Sequence, residues 1–251
     1  MEIAHYVLVN FLSWQAEWDR KLDDPLLEKQ RLSTLERYLL PGLENQTDRD
    51  FTLFLYIGEQ LSNKAREHLA GLKTTFPVKF GEYRVLKQEM IQAWAHNDIV
   101  ITSKMADDDI PWKGASAEVK RIAREGLPFV VHGYRRGLVY VEGKGITKWR
   151  YPNDQGQLAI FMSLIRRTDG PPMTINDLGS HGAARINAQI RHREFGVNQL
   201  PEGWWNSDDT TDPAWVYVRH ENAIFGKREK FKDLDPDLTP LRDFGWKPES
   251  I

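Results

Sequence analysis

Along the first 110 residues, apolar and polar positions come in blocks whose period switches between two and 3.6. Residues 6–12 (Tyr-Val-Leu-Val-Asn-Phe-Leu) are almost continuously apolar, the pattern of a strand covered on both faces. Residues 26–40 carry Leu32, Leu35, Leu39 and Leu40 at helical spacing, and Pro41-Gly42 predicts the end of that helix. A second strand is predicted over 52–58 and a helix over 62–72, with Ser62 as its N-cap. A third strand follows over 76–80 and a short helix over 87–95. The β-branched run Ile99-Val100-Ile101-Thr102 then opens a fourth strand. Strand and helix in alternation predict an α/β fold with an open, mostly parallel central sheet flanked by helices.

Beyond residue 110 the pattern is more mixed. Residues 116–124 predict a helix. Phe129–Tyr134 and 138–141 predict a hairpin turning at Arg135-Arg136-Gly137, and 143–152 add a strand around Ile146 to Trp149. Gly170-Pro171-Pro172 is a break, and 183–193 predict a helix. Residues 198–213 read as a loop holding Trp204-Trp205 and Asp208-Asp209. Residues 214–220 predict a late strand, and from 226 the charged, proline-punctuated chain reads as a surface tail.

Composition narrows the function classes. Net charge is −2 with a pI near 6.4, which argues against nucleic acid as a partner. The absence of cysteine excludes disulfides, thiolate metal sites and cysteine nucleophiles, and fits a reducing compartment. The first residues lack a signal-peptide pattern, and no apolar run approaches the roughly 20 residues of a membrane span. The expectation is therefore a cytoplasmic protein without a transmembrane segment, with at most peripheral membrane association.

The chemistry concentrates where the fourth strand runs into Asp107-Asp108-Asp109. Adjacent carboxylates repel, so a fold gains from them only beside a cation or hydrogen-bond donors. In an extended chain Asp107 and Asp109 face one way and Asp108 the other. Two like-facing carboxylates at the carboxyl end of a strand suit Mg²⁺ or Mn²⁺ carrying a phosphorylated ligand. On these residues alone, a solvated turn capping the next helix fits equally well.

Three motifs, in order, carry a resemblance. Gln46-Thr47-Asp48-Arg49-Asp50-Phe51 before an apolar strand is similar to the Q-T-x-x-D-F segment of nucleotide-sugar glycosyltransferases with the GT-A fold. Asp107-Asp108-Asp109 resembles their D-x-D site, and Trp215 to Asn222 resembles a late element of the bacterial putative rhamnosyltransferase family. The resemblance implies a Rossmann-like half over 1–112 that binds a nucleoside diphosphate sugar. It implies an acceptor-side half with mixed strands over 113–225, and 226–251 is left as the tail. It also implies a divalent metal at Asp107, Asp109 and His220, and transfer to a glycan or glycolipid acceptor. The chain departs from related sequences at Asn10, where an arginine is expected.

Further candidates each have a structural counterpart. Asp177 and His181 are the candidate catalytic pair; Asp177 reads equally as a capping residue, with Asp154, Asp208 and Asp209 as competing bases. Asn10, Glu59, Asp107, Asp108, Trp204 and Trp205 are candidate nucleotide or substrate contacts, the tryptophans reading equally as core or lid. Arg135 and Arg136 read as a solvated turn. A nucleotidyltransferase is disfavoured because Asn10 to Trp14 is not a glycine-rich basic loop. A non-catalytic glycan- or nucleotide-binding protein on the same fold is the alternative.

Overall fold

The computed structural model describes residues 1–12, 25–150, 160–179, 185, 187–188, 202–219, 231 and 233–246. In chain order the elements are β1 (Ile3–Phe11), α1 (Pro25–Thr34), a π-helical turn (Leu35–Leu39) and α2 (Leu40–Glu44). Next come β2 (Thr52–Ile57), α3 (Asn63–Ala70), β3 (Val78–Gly81), α4 (Tyr83–His96), β4 (Ile99–Met105), β5 (Asp109–Pro111) and α5 (Ala115–Arg124). Last are β6 (Phe129–Tyr134), β7 (Arg136–Val141), β8 (Gly145–Arg150), β9 (Met162–Arg167), β10 (Trp205–Asp208) and β11 (Trp215–Arg219). Short 3₁₀ turns cover Ile175–Leu178 and Thr239–Phe244.

Among the described residues the strands form two sheets. The larger has the order β10-β6-β9-β4-β1-β2-β3 and the smaller β5-β11-β7-β8. β9 runs antiparallel to both its neighbours, and the other six strands of the large sheet share one direction. Their carboxyl ends therefore lie along a single edge, where ligands of open α/β sheets bind. Three strands of the large sheet hand the chain to the small sheet at this edge. β4 passes to β5 through Ala106, Asp107 and Asp108, β6 passes to β7 through Arg135, and β10 passes to β11 through residues 209–214.

The expected α/β architecture is present, with four local corrections. The first helix does not stop at Pro41-Gly42 but continues to Glu44. A π turn, in which the Leu40 N–H donates to the Leu35 carbonyl, resets the ladder before Pro41, whose missing N–H then falls at the start of the next segment. Gly42 is a contact residue rather than a stop: a Cβ there would lie 2.5 Å from Ile110 Cγ2. The expected hairpin at Arg135 does not form. One intervening residue is too short for a tight hairpin, and Arg135 instead marks the crossing between sheets. Within the expected loop over 198–213, Trp205–Asp208 is an edge strand parallel to β6. The segment read as a surface tail sends Leu241, Phe244 and Trp246 into the core, against Tyr38, Tyr140 and Val218. Among its described residues the charged side chains are exposed while these three are buried beneath the small sheet. The expected loop or helix before Pro25 and most of the helix over 183–193 lie outside the described residues.

The Q-T-x-x-D-F segment is a structural clamp. Gln46 donates to the carbonyls of Gly42 (3.3 Å) and Trp112 (2.8 Å) and accepts from the Ser116 N–H (3.0 Å). Lys120, buried on α5, reaches Asp48 at 2.7 Å. Beneath them, the His5 ring bonds Ser103 (2.9 Å) and Ser116 (3.2 Å), and Ser103 bonds Ser163 (2.6 Å). This buried network ties β1, β4, β9 and α5 below the carboxyl edge.

Burial, then the charge of Lys120, pushes His5 down to about 3, and burial pushes His132 down to about 4. The unfolded chain binds these protons near pH 6.5, so stability falls as pH drops from about 6.5 toward 4, by up to about 1.4 kcal/mol per pH unit per histidine. Urea midpoints measured across this range should fall, and His5→Asn should flatten the slope; a flat wild-type profile contradicts it. Gly42→Ala should cost about 1–3 kcal/mol by overpacking Ile110, read from the same midpoints.

Candidate active site

Asp107-Asp108-Asp109 sits where β4 leaves the large sheet, and it is not extended. Residues 107 and 108 form a turn, the Asp109 N–H approaches the Ala106 carbonyl at 3.5 Å, and Asp109 begins β5. The expected same-face pairing of Asp107 and Asp109 in an extended chain does not apply, because the chain reverses between the two sheets. All three side chains are buried, Asp107 completely.

Cations supplied by the fold meet this charge. Arg31, projecting from α1 and itself buried, pairs with Asp107 through Nη2 and Oδ1. Register sets Asp109 opposite Tyr217 of β11, with Arg219 two residues further along that strand as a minor opposing charge. Burial, and then the charge of Asp108, push Asp109 well above the usual carboxylate range. Its Oδ2 accepts from the Ala106 N–H at 3.3 Å, while its Oδ1 is buried without a hydrogen-bond partner among the described residues. Such an oxygen costs free energy unless a cation or donor arrives.

Neither Arg31 nor Arg219 stands out in the sequence. The available signal for Arg31 was its place, with Glu28, on the buried stripe of Leu27 and Leu35, where a charge needs a buried partner. Glu28 finds its partner in Ser62, accepting from the N–H (2.8 Å) and the hydroxyl (2.6 Å) at the start of α3. α1 is thereby fixed to α3 while it delivers Arg31 to the acidic turn.

The other crossings carry the remaining polar groups. Arg135 is buried and approaches Asp209 at 3.8 Å, which corrects the solvated-turn reading. Arg136 and Arg150 bond Asp209 at 2.8 and 2.5 Å and hold its carboxyl far below the usual range. Asp208 is raised by burial but lowered more by hydrogen bonds from Thr211 and Thr210. Carboxylates held low and already bonded are weak bases, so these two competing candidates recede.

Asp177 caps the turn Ile175–Leu178: its Oδ2 accepts from the Thr174 N–H (2.7 Å) and hydroxyl (3.0 Å). The capping alternative is the one seen, which leaves this oxygen committed rather than poised as a base. Trp204 and Trp205 pack edge to face at 5.5 Å against the cluster of Phe129 and Val131, with Arg185 over the Trp205 ring at 5.9 Å. Both indoles remain half-buried beside β6. Asn10 lies at the carboxyl end of β1, beside Tyr56 of β2, and Glu59 is exposed in the turn after β2. Lys104, second to last in β4, sends its ammonium to the Gly179 carbonyl at 3.2 Å. His181, His220 and Asp154 lie outside the described residues. Among the described residues no group of three or more His, Asp or Glu is arranged to hold a metal ion.

Residues 16–170, more than half of the chain, match the family described as "Putative rhamnosyl transferase". The chain belongs to this family. It is a glycosyltransferase, and the acidic turn, β2 and the Q-T-x-x-D-F clamp all fall within the matched segment. No curated protein matches the chain. Solved structures similar to this glycosyltransferase include a putative nucleotide-diphospho-sugar transferase from Desulfovibrio desulfuricans G20. That likeness has 10% identity and a TM-score of 0.40, covering 88% of this chain and 83% of that one. The inositol-1-phosphate CTP transferase of T. maritima gives 10% identity and a TM-score of 0.42 over 88% and 91% of the two chains. TarS residues 1–349 from S. aureus, in complex with UDP, gives 10% and 0.41 over 87% and 60%.

Removing one member of a buried ion pair strands the other. Arg31→Met should therefore destabilise the glycosyltransferase by about 3–5 kcal/mol, and Arg31→Met with Asp107→Leu should recover much of that loss. Chemical denaturation of the single and double variants measures the coupling, and additive effects would contradict a working pair.

Proposed function

We propose that the protein transfers a sugar, rhamnose being the family's reading, from a nucleoside diphosphate donor to a glycan or glycolipid acceptor. The carboxyl edge at the acidic turn would be the donor seat. The observation that carries this is the buried, unbonded Asp109 Oδ1 at the carboxyl edge of a parallel sheet. The three aspartates are not gathered into a metal cage among the described residues, so a Mg²⁺ or Mn²⁺ there would be held by the unmet Asp109 Oδ1 together with oxygens of the diphosphate itself. When bound, such a cation supplies Lewis-acid neutralisation of a leaving diphosphate.

The chain's own residues do the rest in this reading. Arg31 fixes Asp107, while burial and the neighbouring charge of Asp108 keep Asp109 well above the usual carboxylate range, opposed only weakly by Arg219. The clamp of Gln46 and Lys120 keeps α5 and the entry to β2 rigid beside the site. The base that activates the acceptor is assigned to neither Asp208 nor Asp209, and His181 stays the proposed catalytic partner. The engagement of Asp107 by Arg31 supports a second reading, in which guanidinium charge serves the diphosphate without a metal.

Thermal-shift titration with nucleoside diphosphates and their sugars, with Mn²⁺ or with chelator, tests both readings, because a ligand of the folded state raises its melting temperature. The first predicts a shift that requires Mn²⁺ and is lost in Asp109→Asn, with transfer falling about 10²–10³-fold. A full shift in chelator favours the second. No shift with any nucleoside diphosphate contradicts both.

A further inference from the structure

Lys104 is a cation that the acidic turn does not use. It lies on β4 in register with Leu8 of β1 and Met162 of β9, so it shares the sheet face of the apolar cluster holding both. It is the second-to-last residue of β4, so it lies near the carboxyl edge, and its ammonium reaches the Gly179 carbonyl. Asn10 and Tyr56, one register step further on, share that face. The ammonium makes one hydrogen bond, to the Gly179 carbonyl at 3.2 Å, and none to a carboxylate among the described residues. Arg31, Arg135 and Lys120 each have an acidic partner; Lys104 has three N–H donors and one neutral acceptor. Burial pushes its ammonium down, and among the described residues no carboxylate offsets it. A half-buried, uncompensated cation is costly, and a fold that retains one at a ligand edge gains when an anion arrives.

We propose that Lys104 binds a phosphoryl group of the nucleoside diphosphate donor, on the sheet face carrying Asn10 and Tyr56. This rests on the donor reading above and deepens it: the diphosphate would be held by a protein ammonium as well as by whatever cation the aspartates accept. It also gives the site a point charge beside Asn10, where the sequence lacks the arginine expected of related chains. The competing role is purely structural, with Lys104 serving only to cap the Gly179 carbonyl.

Three variants separate these roles: Lys104→Arg keeps the charge, Lys104→Gln keeps an N–H donor without charge, and Lys104→Met keeps only the apolar stem. Affinity for inorganic pyrophosphate and for a nucleoside diphosphate panel is measured by calorimetry on the full chain, beside unliganded melting temperatures. The proposal predicts that Gln and Met lose tenfold or more in affinity for both probes, and that Arg stays within about threefold of wild type. It also predicts that Gln keeps the wild-type melting temperature, so that its affinity loss stands even where Met fails to fold. Wild type binding nucleoside diphosphate with Gln equal to it overturns the Lys104 proposal alone. Wild type binding none of the diphosphates overturns the donor reading, and this proposal with it.

Discussion

The arrangement depends on burying three consecutive aspartates. Such a run is hostile to a fold unless positive charge is built around it, and here Arg31 comes from a helix about 75 residues earlier in the chain and Arg219 from a strand about 110 residues later. Bringing them together dictates much of the rest. α1 must be held in place, which Glu28 does by bonding the start of α3. The helix must then approach β5 closely, which the π turn and Gly42 allow. The clamp of Gln46 and Lys120 locks the same region from α5.

The two sheets explain why polar groups collect at one edge. β4, β6 and β10 each end at the carboxyl edge of the large sheet and continue as β5, β7 and β11 of the small one. Each crossing brings polar side chains with it: the acidic turn, Arg135, and Asp209 with its arginines. Backbone that changes sheets cannot satisfy itself within one ladder, so the crossings are where side chains, or a ligand, complete the hydrogen bonding. The apolar faces of both sheets are meanwhile filled, down to Trp246 near the end of the chain.

Much of the large sheet was legible in the sequence. Its strands are buried on both faces, so their apolar runs are long and unambiguous, and Ser62 caps α3 as its position predicted. The small sheet was less legible because its pairings join distant segments. A hairpin at Arg135 was the local reading, and only the partners β8 and β11 draw β7 away from β6. Pro41-Gly42 read as a stop because propensity has no knowledge of Ile110 against that helix. At the site, the acidic turn was visible as an anomaly in a strand pattern. Arg31 and Lys104 were not, since a charge inside an apolar pattern looks like noise until its partner, or its lack of one, is seen.

The most direct measurement is anomalous diffraction from crystals grown with Mn²⁺ and the nucleoside diphosphate giving the largest thermal shift. If the acidic turn seats the donor diphosphate as proposed, a manganese peak stands at coordination distance from Asp109 with the diphosphate beside it, between the turn and Lys104. A diphosphate bound elsewhere on the molecule, with Arg31 and the three aspartates undisturbed and no manganese at the turn, would contradict it.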